Sequence, residues 1–237
     1  MNEPQTSNPE PTNPRTRLEI ACFTLESALT AVRAGADRIE FTENYALGGV
    51  TPKLEEFVAL RKTTEIPVYV LVRPRGGDFC HSEVELTQME KDILLFFDHG
   101  ADGFVIGCLT PDRQIDITAN KRLLKAAQGK PVTFHRAFDE VEDYSIALDQ
   151  VVELGCSAIL TSGAKKSALE GTERLKSLHQ QAGNRLTIIV GGGVRSENIA
   201  KLNSALSANF YHSACITQVG GEADEQEIKR ILELLNT

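Results

Sequence analysis

Eight short apolar runs recur along the chain with a longer segment between neighbours, and this alternation most limits what the chain can fold into. The runs are LEIAC (18–22), DRIEF (37–41), PVYVLV (67–72), DGFVIG (102–107), PVTFH (131–135), SAILTS (157–162), LTIIVG (186–191) and ANFYHS (208–213). Eight strands that alternate with helices predict an α/β protein, a (β/α)8 TIM barrel in a single domain over residues 18–237. An open, doubly wound sheet is the alternative, but its strands are seldom so evenly spaced.

The segments between the runs have helical periodicity and recognisable helix ends. Ser82 and Glu85 stand at the spacing of a capping box, and Gly155 suits the C-cap of the segment that it ends. Helices are predicted over segments that include 24–36, 82–100, 141–155, 195–202 and 222–236.

Charge and terminal composition exclude several classes of function. The chain has 25 Lys and Arg against 33 Asp and Glu, a net charge of −8, so we expect no binding of nucleic acid. Residues 1–17 hold four of the nine prolines and are predicted to be a disordered tail. No run is long and apolar enough for a signal sequence or a membrane span, and we expect a cytoplasmic protein with no membrane partner.

Several ionisable side chains are predicted to point into the barrel, because successive residues of a strand alternate faces. Glu40 points inward from the second strand, and Glu19, Arg73, His135 and His212 have the same direction on four other strands. Active sites of this fold lie at the carboxyl ends of the strands, which predicts Glu40, His135 and His212 as catalytic residues. Glu19 sits early in its strand and is either a structural group or part of the ligand site.

The stretch RPRGGDFC (73–80) follows the third strand and concentrates charge there. Arg73 and Arg75 are predicted to clamp an anion, and Asp78 to orient one of them. We expect replacement of Arg73 with alanine to reduce ligand binding far more than stability.

The stretch FHRAFDE (134–140) repeats this arrangement after the fifth strand. Arg136 is predicted to bind the ligand, and Asp139 is predicted as a catalytic residue that orients its neighbours His135 and Arg136. An Arg136–Asp139 pair that only closes the loop is the structural alternative.

Three glycines end the seventh strand in IIVGGGVRSEN (188–198), directly before a helix. Exposed N–H groups of Gly192 and Gly193 would form an anion cradle, and the loops after strands seven and eight are the usual phosphate site of this fold. Ser162, in TSGAKKSALEG (161–171), is predicted to lie beside them. The glycines could equally make only a tight turn.

Five widely spaced cysteines without a Cys-x-x-Cys pair predict free thiols. Cys22, Cys80, Cys108 and Cys215 fall at or just beyond carboxyl ends of strands, and thiolates suit Cu(I). Free cysteine is also a common small apolar residue, and no pair has ligand spacing, so a dedicated metal site is the weaker interpretation.

The chain resembles the CutC family, which is named for copper homeostasis. The motifs that carry this resemblance are, in order along the chain, RPRGGDF, VTFHRAFD, LTSG with SALEG, GGGVR and HSA. The resemblance covers about Leu18 to Ala214. It implies a (β/α)8 barrel with a deep pocket at the carboxyl ends, a cytoplasmic location, a homo-oligomer and a link to Cu(I). The pocket residues that it implies are Glu19, Cys22, Glu40, Arg73, Arg75, Asp78, His135, Arg136, Asp139, Ser162, His212 and Ser213.

The chain departs from the family at two places. Thr42 stands where many relatives have a cysteine, so a copper site that uses Cys22 loses a second thiolate. The segment 214–221, between the last strand and the last helix, is shorter than in relatives, which reduces any lid that it forms.

Three functions are consistent with these residues. The family name indicates a copper homeostasis protein that binds copper ion, as Cu(I), through Cys22 with a nearby histidine or another cysteine. The alternative is a metal-independent lyase, isomerase or hydrolase that acts on a small anionic, and in one version phosphorylated, metabolite. A barrel that only senses a ligand ranks third, because a mouth this rich in general acids is more typical of catalysis.

Overall fold

Within the described residues, 15–218 and 221–236, eight parallel strands close into a barrel in this computed structural model. The strands are β1 (Arg17–Cys22), β2 (Arg38–Phe41), β3 (Val68–Leu71), β4 (Gly103–Ile106), β5 (Val132–Phe134), β6 (Ala158–Thr161), β7 (Thr187–Val190) and β8 (Phe210–Ser213). They pair in sequence order, and β8 pairs with β1 with Glu19 opposite His212. The predicted (β/α)8 barrel is confirmed, and the closure between β8 and β1 excludes the open sheet.

A helix follows each of these strands along the described chain. The helices are α1 (Leu25–Ala34), α2 (Leu54–Arg61), α3 (Glu83–Asp98), α4 (Ile117–Ala126), α5 (Tyr144–Leu154), α6 (Thr172–Ala182), α7 (Ser196–Leu206) and α8 (Glu225–Leu235). Short 3-10 helices lie after β2 (Tyr45–Leu47) and after β5 (Arg136–Glu140). In the part of the chain that the structure describes, no helix combines the length and apolar character needed to cross a bilayer.

The helix ends agree with the sequence signals. Ser82 and Glu85 form the predicted capping box of α3, and Gly155 ends α5 in the left-handed conformation, with a φ of 88°. Helix α7 continues beyond the predicted residue 202, to Leu206. The predicted tail lies outside the described residues as far as residue 14, and its last residue, Arg17, begins β1.

The strands bury apolar side chains on both faces. Outward side chains such as Ile20, Ile39 and Val70 pack in the main core, which includes buried residues of the helices. Inward side chains form two smaller clusters, Tyr69 with Leu71 and Val105, and Ala158 with Leu160, Ile189 and Phe210. The inward face is therefore apolar except where charged side chains replace this packing.

A stack of Tyr69, Arg38 and Phe210, the floor stack, closes the amino-end half of the barrel. The Arg38 guanidinium lies 4.1 Å from the centre of the Tyr69 ring and 4.3 Å from that of Phe210. Gly103 makes room for the stack, since a Cβ on this residue would lie 2.6 Å from the Tyr69 ring. The open end of the barrel is consequently its carboxyl end.

Candidate functional site

A cavity of about 310 Å³ opens at the carboxyl ends of the strands, the end at which the site was predicted. Eight predicted site residues line it: Glu40, Arg73, His135, Arg136, Gly192, Gly193, His212 and Ser213. The cavity lining does not include the predicted Glu19, Cys22, Arg75, Asp78, Asp139 and Ser162. The structure therefore separates groups that can touch a ligand from groups that support them.

Glu19 lies below the cavity and connects the floor stack to His212. Its carboxylate accepts a hydrogen bond from Arg38 Nε at 2.5 Å and one from His212 Nδ1 at 2.7 Å. Burial raises the pKa of Glu19, but the charge of Arg38 and the hydrogen bond from His212 outweigh it and bring the pKa below its usual range. An ionised Glu19 fixes Nδ1 of His212 as a donor, so Nε2 is the ring nitrogen left for a ligand.

Glu40 lines the cavity beside His212, and its Oε2 is buried without a hydrogen-bond partner among the described residues. Burial raises its pKa to about 7, despite the opposing charge of His212. Burial lowers the pKa of His212, but the charge of Glu40 and the hydrogen bond to Glu19 more than compensate and raise it. Glu40 can thus gain and lose a proton near neutral pH, and His212 is protonated more readily than a free imidazole.

His135 reaches the cavity as a neutral hydrogen-bond donor. Its Nδ1 accepts a hydrogen bond from the backbone N–H of Ala137, which leaves the ring proton on Nε2. That Nε2 is buried and has no partner in the described chain. Burial, followed by the charges of Arg73 and His81, lowers the pKa of His135 to about 3, so the ring stays neutral at pH 7.

Arg73 is held mainly by the protein itself. Its guanidinium donates to the carbonyl oxygens of Leu47 at 3.0 Å, Gly49 at 3.1 Å and Gly77 at 2.6 Å, and it stacks on the Phe79 ring at 4.7 Å. These bonds tie the loop after β2 to the loop after β3. Arg73 therefore shapes this side of the cavity, a role that its inward direction in the sequence did not reveal.

Arg136 lines the cavity and forms one network with Asp139 and Ser162, which do not line it. Arg136 donates through Nε to Asp139 and through Nη2 to Ser162 Oγ. Asp139 also accepts from Thr161 Oγ1 and from the N–H groups of Ser162 and Ala164. With its oxygens occupied in this way, Asp139 positions Arg136 and the loop after β6, whereas the sequence had suggested a catalytic role.

The loop after β7 presents backbone donors to the cavity. Gly192 and Gly193 line it with φ values of 95° and 73°, and no acceptor in the described chain takes their N–H groups. Arg195 lines the cavity as well and donates to Ser213 Oγ at 3.0 Å. The buried carboxylate of Glu227 accepts from the N–H of Ser196, so the N-terminus of α7 already has an internal anion.

Arg75 and Asp78 lie outside the cavity, on its rim. Arg75 pairs with Asp78 at 3.0 Å and with Glu85, at the start of α3, at 2.6 Å. The chain between Arg73 and Arg75 is not extended, because it bends over residues 74–77. The predicted two-arginine clamp is accordingly not assembled within the cavity.

The cysteines do not fit a Cu(I) site. Cys22 is buried in the main core, on the face of β1 opposite to Glu19, and its pKa is raised well above the usual value by burial. Burial likewise raises the pKa of Cys108, Cys156 and Cys215 to about 12. Cu(I) prefers thiolates, and burial keeps these four thiols protonated in the main core.

Among residues 15–218 and 221–236, one group of His, Cys, Asp and Glu donor atoms is close enough to hold a metal ion, namely Glu19, Glu40 and His212. It offers oxygen and nitrogen and no sulfur. Both oxygens of Glu19 already accept hydrogen bonds, from Arg38 and from His212. Cu(I) prefers sulfur ligands, so this group of donors does not fit it.

Sequence reasoning missed residues that shape the site. Arg38 shares the inward face of β2 with Glu40, and Arg195 follows the three glycines after β7. The sequence position of each residue therefore already indicated that it lies near the site. Phe23, Tyr45 and Phe79 also line the cavity, but loop residues follow no alternation that would predict their direction.

Known proteins resemble this chain along most of its length. The model of the CutC family matches residues 16–217. A CutC family protein of Bacteroides thetaiotaomicron is 43% identical over 197 residues, which cover 83% of this chain and 79% of that protein. The human copper homeostasis protein cutC homolog is 41% identical over 195 residues, covering 82% of this chain and 71% of the human protein.

Solved structures agree with the barrel. The crystal structure of CutC from Streptococcus agalactiae is 34% identical, with a TM-score of 0.80 over 84% of this chain and 98% of that one. A phosphoribosylanthranilate isomerase from Thermotoga maritima has a TM-score of 0.62 at 15% identity, over 93% of this chain and 98% of that one. The second likeness concerns the fold alone.

The sequence predicts that Arg73→Ala affects ligand binding far more than stability, but the contacts of Arg73 lead to a different expectation. The substitution should lower the free energy of unfolding by about 2–4 kcal/mol, because three carbonyl groups lose a charged donor. Lys176→Ala is the control, and loss of its exposed ion pair with Glu173 should cost about 0–1 kcal/mol. Urea denaturation of both variants checks this. Equal losses would contradict the role of Arg73 in joining the two loops.

Glu40→Gln should become more stable relative to the unsubstituted protein as pH rises from about 4.5 to about 7. In that window the unfolded chain releases the Glu40 proton while the folded protein retains it, so the contribution of Glu40 to stability falls by on the order of 3 kcal/mol. Urea denaturation across this range measures the difference. Glu26→Gln, at an exposed site, controls for removal of one charge, and a pH-independent difference for Glu40→Gln would contradict the prediction.

Proposed function

We propose that this chain, which belongs to the CutC family, is an enzyme that binds a small anion in the barrel mouth and moves a proton on it. The observation that carries the proposal is the unpartnered Oε2 of Glu40, buried in the cavity wall beside His212. An unpaired carboxyl oxygen in a buried site is costly unless a ligand uses it. Its pKa of about 7 suits a group that accepts and returns protons.

The two residues divide the acid and base roles. Glu40, as carboxylate, accepts a proton from the ligand, and His212, as imidazolium, donates one from Nε2 to another atom of the same ligand. Their opposite charges favour this protonation state, and Glu19 keeps the His212 ring oriented through Nδ1. Such a paired transfer suits an isomerase or a lyase, and a hydrolase would use Glu40 to activate water.

The remaining groups of the mouth hold and polarise the ligand. His135 offers a neutral N–H donor, and the bond from the Ala137 N–H to Nδ1 holds its ring in place. Gly192 and Gly193 offer backbone N–H groups, and Arg136 brings a positive charge. Together they favour an anionic ligand, in a protein whose net charge of −8 would otherwise repel one.

The test is conversion of metabolites by the purified protein. A bacterial extract of small molecules in D2O is incubated with the protein and compared by mass spectrometry with an untreated sample. At least one anionic metabolite should be consumed or gain deuterium, because acid/base chemistry exchanges protons with solvent. Glu40→Gln should reduce that rate by about 10²–10⁴-fold.

Glu26→Gln serves as the matched control and should leave the rate unchanged, since this exposed carboxylate lies outside the cavity. The enzyme proposal would be abandoned if the extract stayed unchanged with folded protein. It would also be abandoned if Glu40→Gln converted the metabolite as fast as the unsubstituted protein.

Copper homeostasis, named for the human relative, is the second candidate function. Its support is the 41% identity to that protein over 82% of this chain. The donor chemistry of the described residues favours a role in copper homeostasis that does not require Cu(I) held by Cys22.

We also propose that the protein works in the reducing cytoplasm. Free thiols at all five cysteines support this location.

Anaerobic titration of Cu(I) against a competing chelator tests the role of Cys22. Cys22→Ser should bind Cu(I) with the same affinity as the unsubstituted protein, within about twofold, because the buried thiol is protonated and faces away from the cavity. Cys156→Ser, another buried thiol, is the matched control. A tenfold or greater loss confined to Cys22→Ser would restore a copper site there.

A further inference from the structure

The cavity has two chemically different sides. Apolar and aromatic side chains come from the ends of β1, β2 and β3 and the loops that follow, and this aromatic side consists of Phe23, Tyr45, Leu71 and Phe79. Groups that favour an anion come from beyond β5 and β7, and this anion side consists of Arg136, Gly192, Gly193 and Arg195. A ligand that filled the cavity would meet both sides.

The order of the strands places these sides across the barrel from each other. The strands follow one another in sequence order around the closed barrel, so β7 stands four strands from β3 in either direction. Gly192 and Gly193 follow β7, while Leu71 ends β3 and Phe79 lies in the loop after it. The anion side and the aromatic side consequently face each other over the cavity.

The aromatic side is rigid and still partly uncovered. Tyr45 packs edge-on against Phe23, with ring centres 5.0 Å apart, yet 53% of Tyr45 remains exposed. Phe79 is fixed between the Arg73 guanidinium and the His135 ring, at 4.7 Å and 4.8 Å. Rings held in this way offer a surface on which a flat apolar group can pack.

The anion side presents donors whose partners are absent from the described chain. The carbonyl oxygens of Gly192 and Gly193 accept bonds from Ala168 and Asn198, so their N–H groups are the free polar groups of this turn. A side chain at residue 192 would bring its Cβ within 2.7 Å of the Ser162 Cβ. The turn therefore has to consist of glycine, and it exposes backbone that can approach a phosphate closely.

Two buried polar atoms in the cavity wall also require a ligand. His135 Nε2 and Glu40 Oε2 both lack partners in the described chain, and their residues are 5% and 6% exposed. They come from β5 and β2, and neither belongs to the glycine turn. The need for a ligand thus rests on observations independent of the free N–H groups.

The volume of the cavity is too large for a bare anion. About 310 Å³ lies at the lower end of the range for pockets that hold small organic ligands. From the opposed sides and this volume, we infer that the ligand is a phosphate monoester of a flat, apolar or aromatic group. Its phosphate lies on the anion side, and its flat group packs against Tyr45 and Phe79. This inference rests on the proposed anion-binding function and names its substrate class.

Calorimetric titration with inorganic phosphate, methyl phosphate, phenyl phosphate and phenol tests the inference. Phenyl phosphate should bind about tenfold more tightly than methyl phosphate, because only the phenyl ring packs on the aromatic side. Inorganic phosphate should bind no more tightly than methyl phosphate, and phenol should bind far more weakly than phenyl phosphate.

Two variants assign the two halves of the ligand. Tyr45→Ser should bring phenyl phosphate close to the affinity of methyl phosphate, while Tyr45→Phe keeps the ring and the preference. Arg136→Gln should weaken both esters by the same factor and leave their ratio unchanged. Leu95→Ser on α3, 42% exposed in the unsubstituted protein and outside the cavity, is the control for loss of an exposed apolar side chain.

The outcomes separate this inference from the proposed function. Equal affinities for methyl and phenyl phosphate, or an unchanged preference in Tyr45→Ser, would overturn the inference and leave an anion site standing. Binding of phenol as tight as that of phenyl phosphate would overturn the assignment of a phosphate. Failure of every phosphate to bind the folded protein would overturn the inference, whereas the proposed function is overturned by the metabolite-conversion experiment.

Discussion

The pairing of Arg38 with Glu19 inside the barrel is the interaction on which the site depends. Two charges removed from water are tolerated only when they are paired and hydrogen-bonded, and this pair has a bond of 2.5 Å with aromatic rings on both sides of the guanidinium. Because Arg38 keeps Glu19 ionised, Glu19 can hold Nδ1 of His212. That bond in turn leaves Nε2 of His212 beside Glu40. Arg38 and Glu19, at the floor of the barrel, thus determine how His212 is protonated at its mouth.

Strand alternation accounts for what the sequence could predict. It indicated the eight strands and the inward direction of Glu19, Glu40, His135 and His212, since a period of two fixes the face of each strand residue. The same rule places Cys22, three residues from Glu19, on the face that points away from the barrel interior. The copper site at Cys22 was nevertheless expected, because the family is named for copper homeostasis. Alternation gives a direction and no partners, so it could not show that the carbonyls of two loops take up the guanidinium of Arg73.

The hydrogen bonds of Asp139 are a second example of partners that the sequence pattern could not predict. Its partners Thr161, Ser162 and Ala164 lie 22 to 25 residues away along the chain, and no local pattern links them to it. An arginine and an aspartate at short spacing suggested catalysis, but the structure joins them to a neighbouring loop. The cavity lies at the carboxyl ends of the strands, and no cysteine is among the described residues that line it. The name of the human relative concerns copper, whereas the mouth offers acid/base groups.

The floor stack makes the cavity a blind well. Tyr69, Arg38 and Phe210 occupy the amino-end half of the barrel, so the route for water to Glu40 is the same opening through which a ligand enters. A ligand that fills the mouth then shuts out bulk solvent while the chemistry proceeds. His212 takes up its proton from solvent before the ligand fills the mouth, whereas the proton that Glu40 removes can leave only after the mouth reopens. In D2O the deuterium in the product therefore marks the atom that His212 protonates, and the proton lost from the ligand is released together with the product.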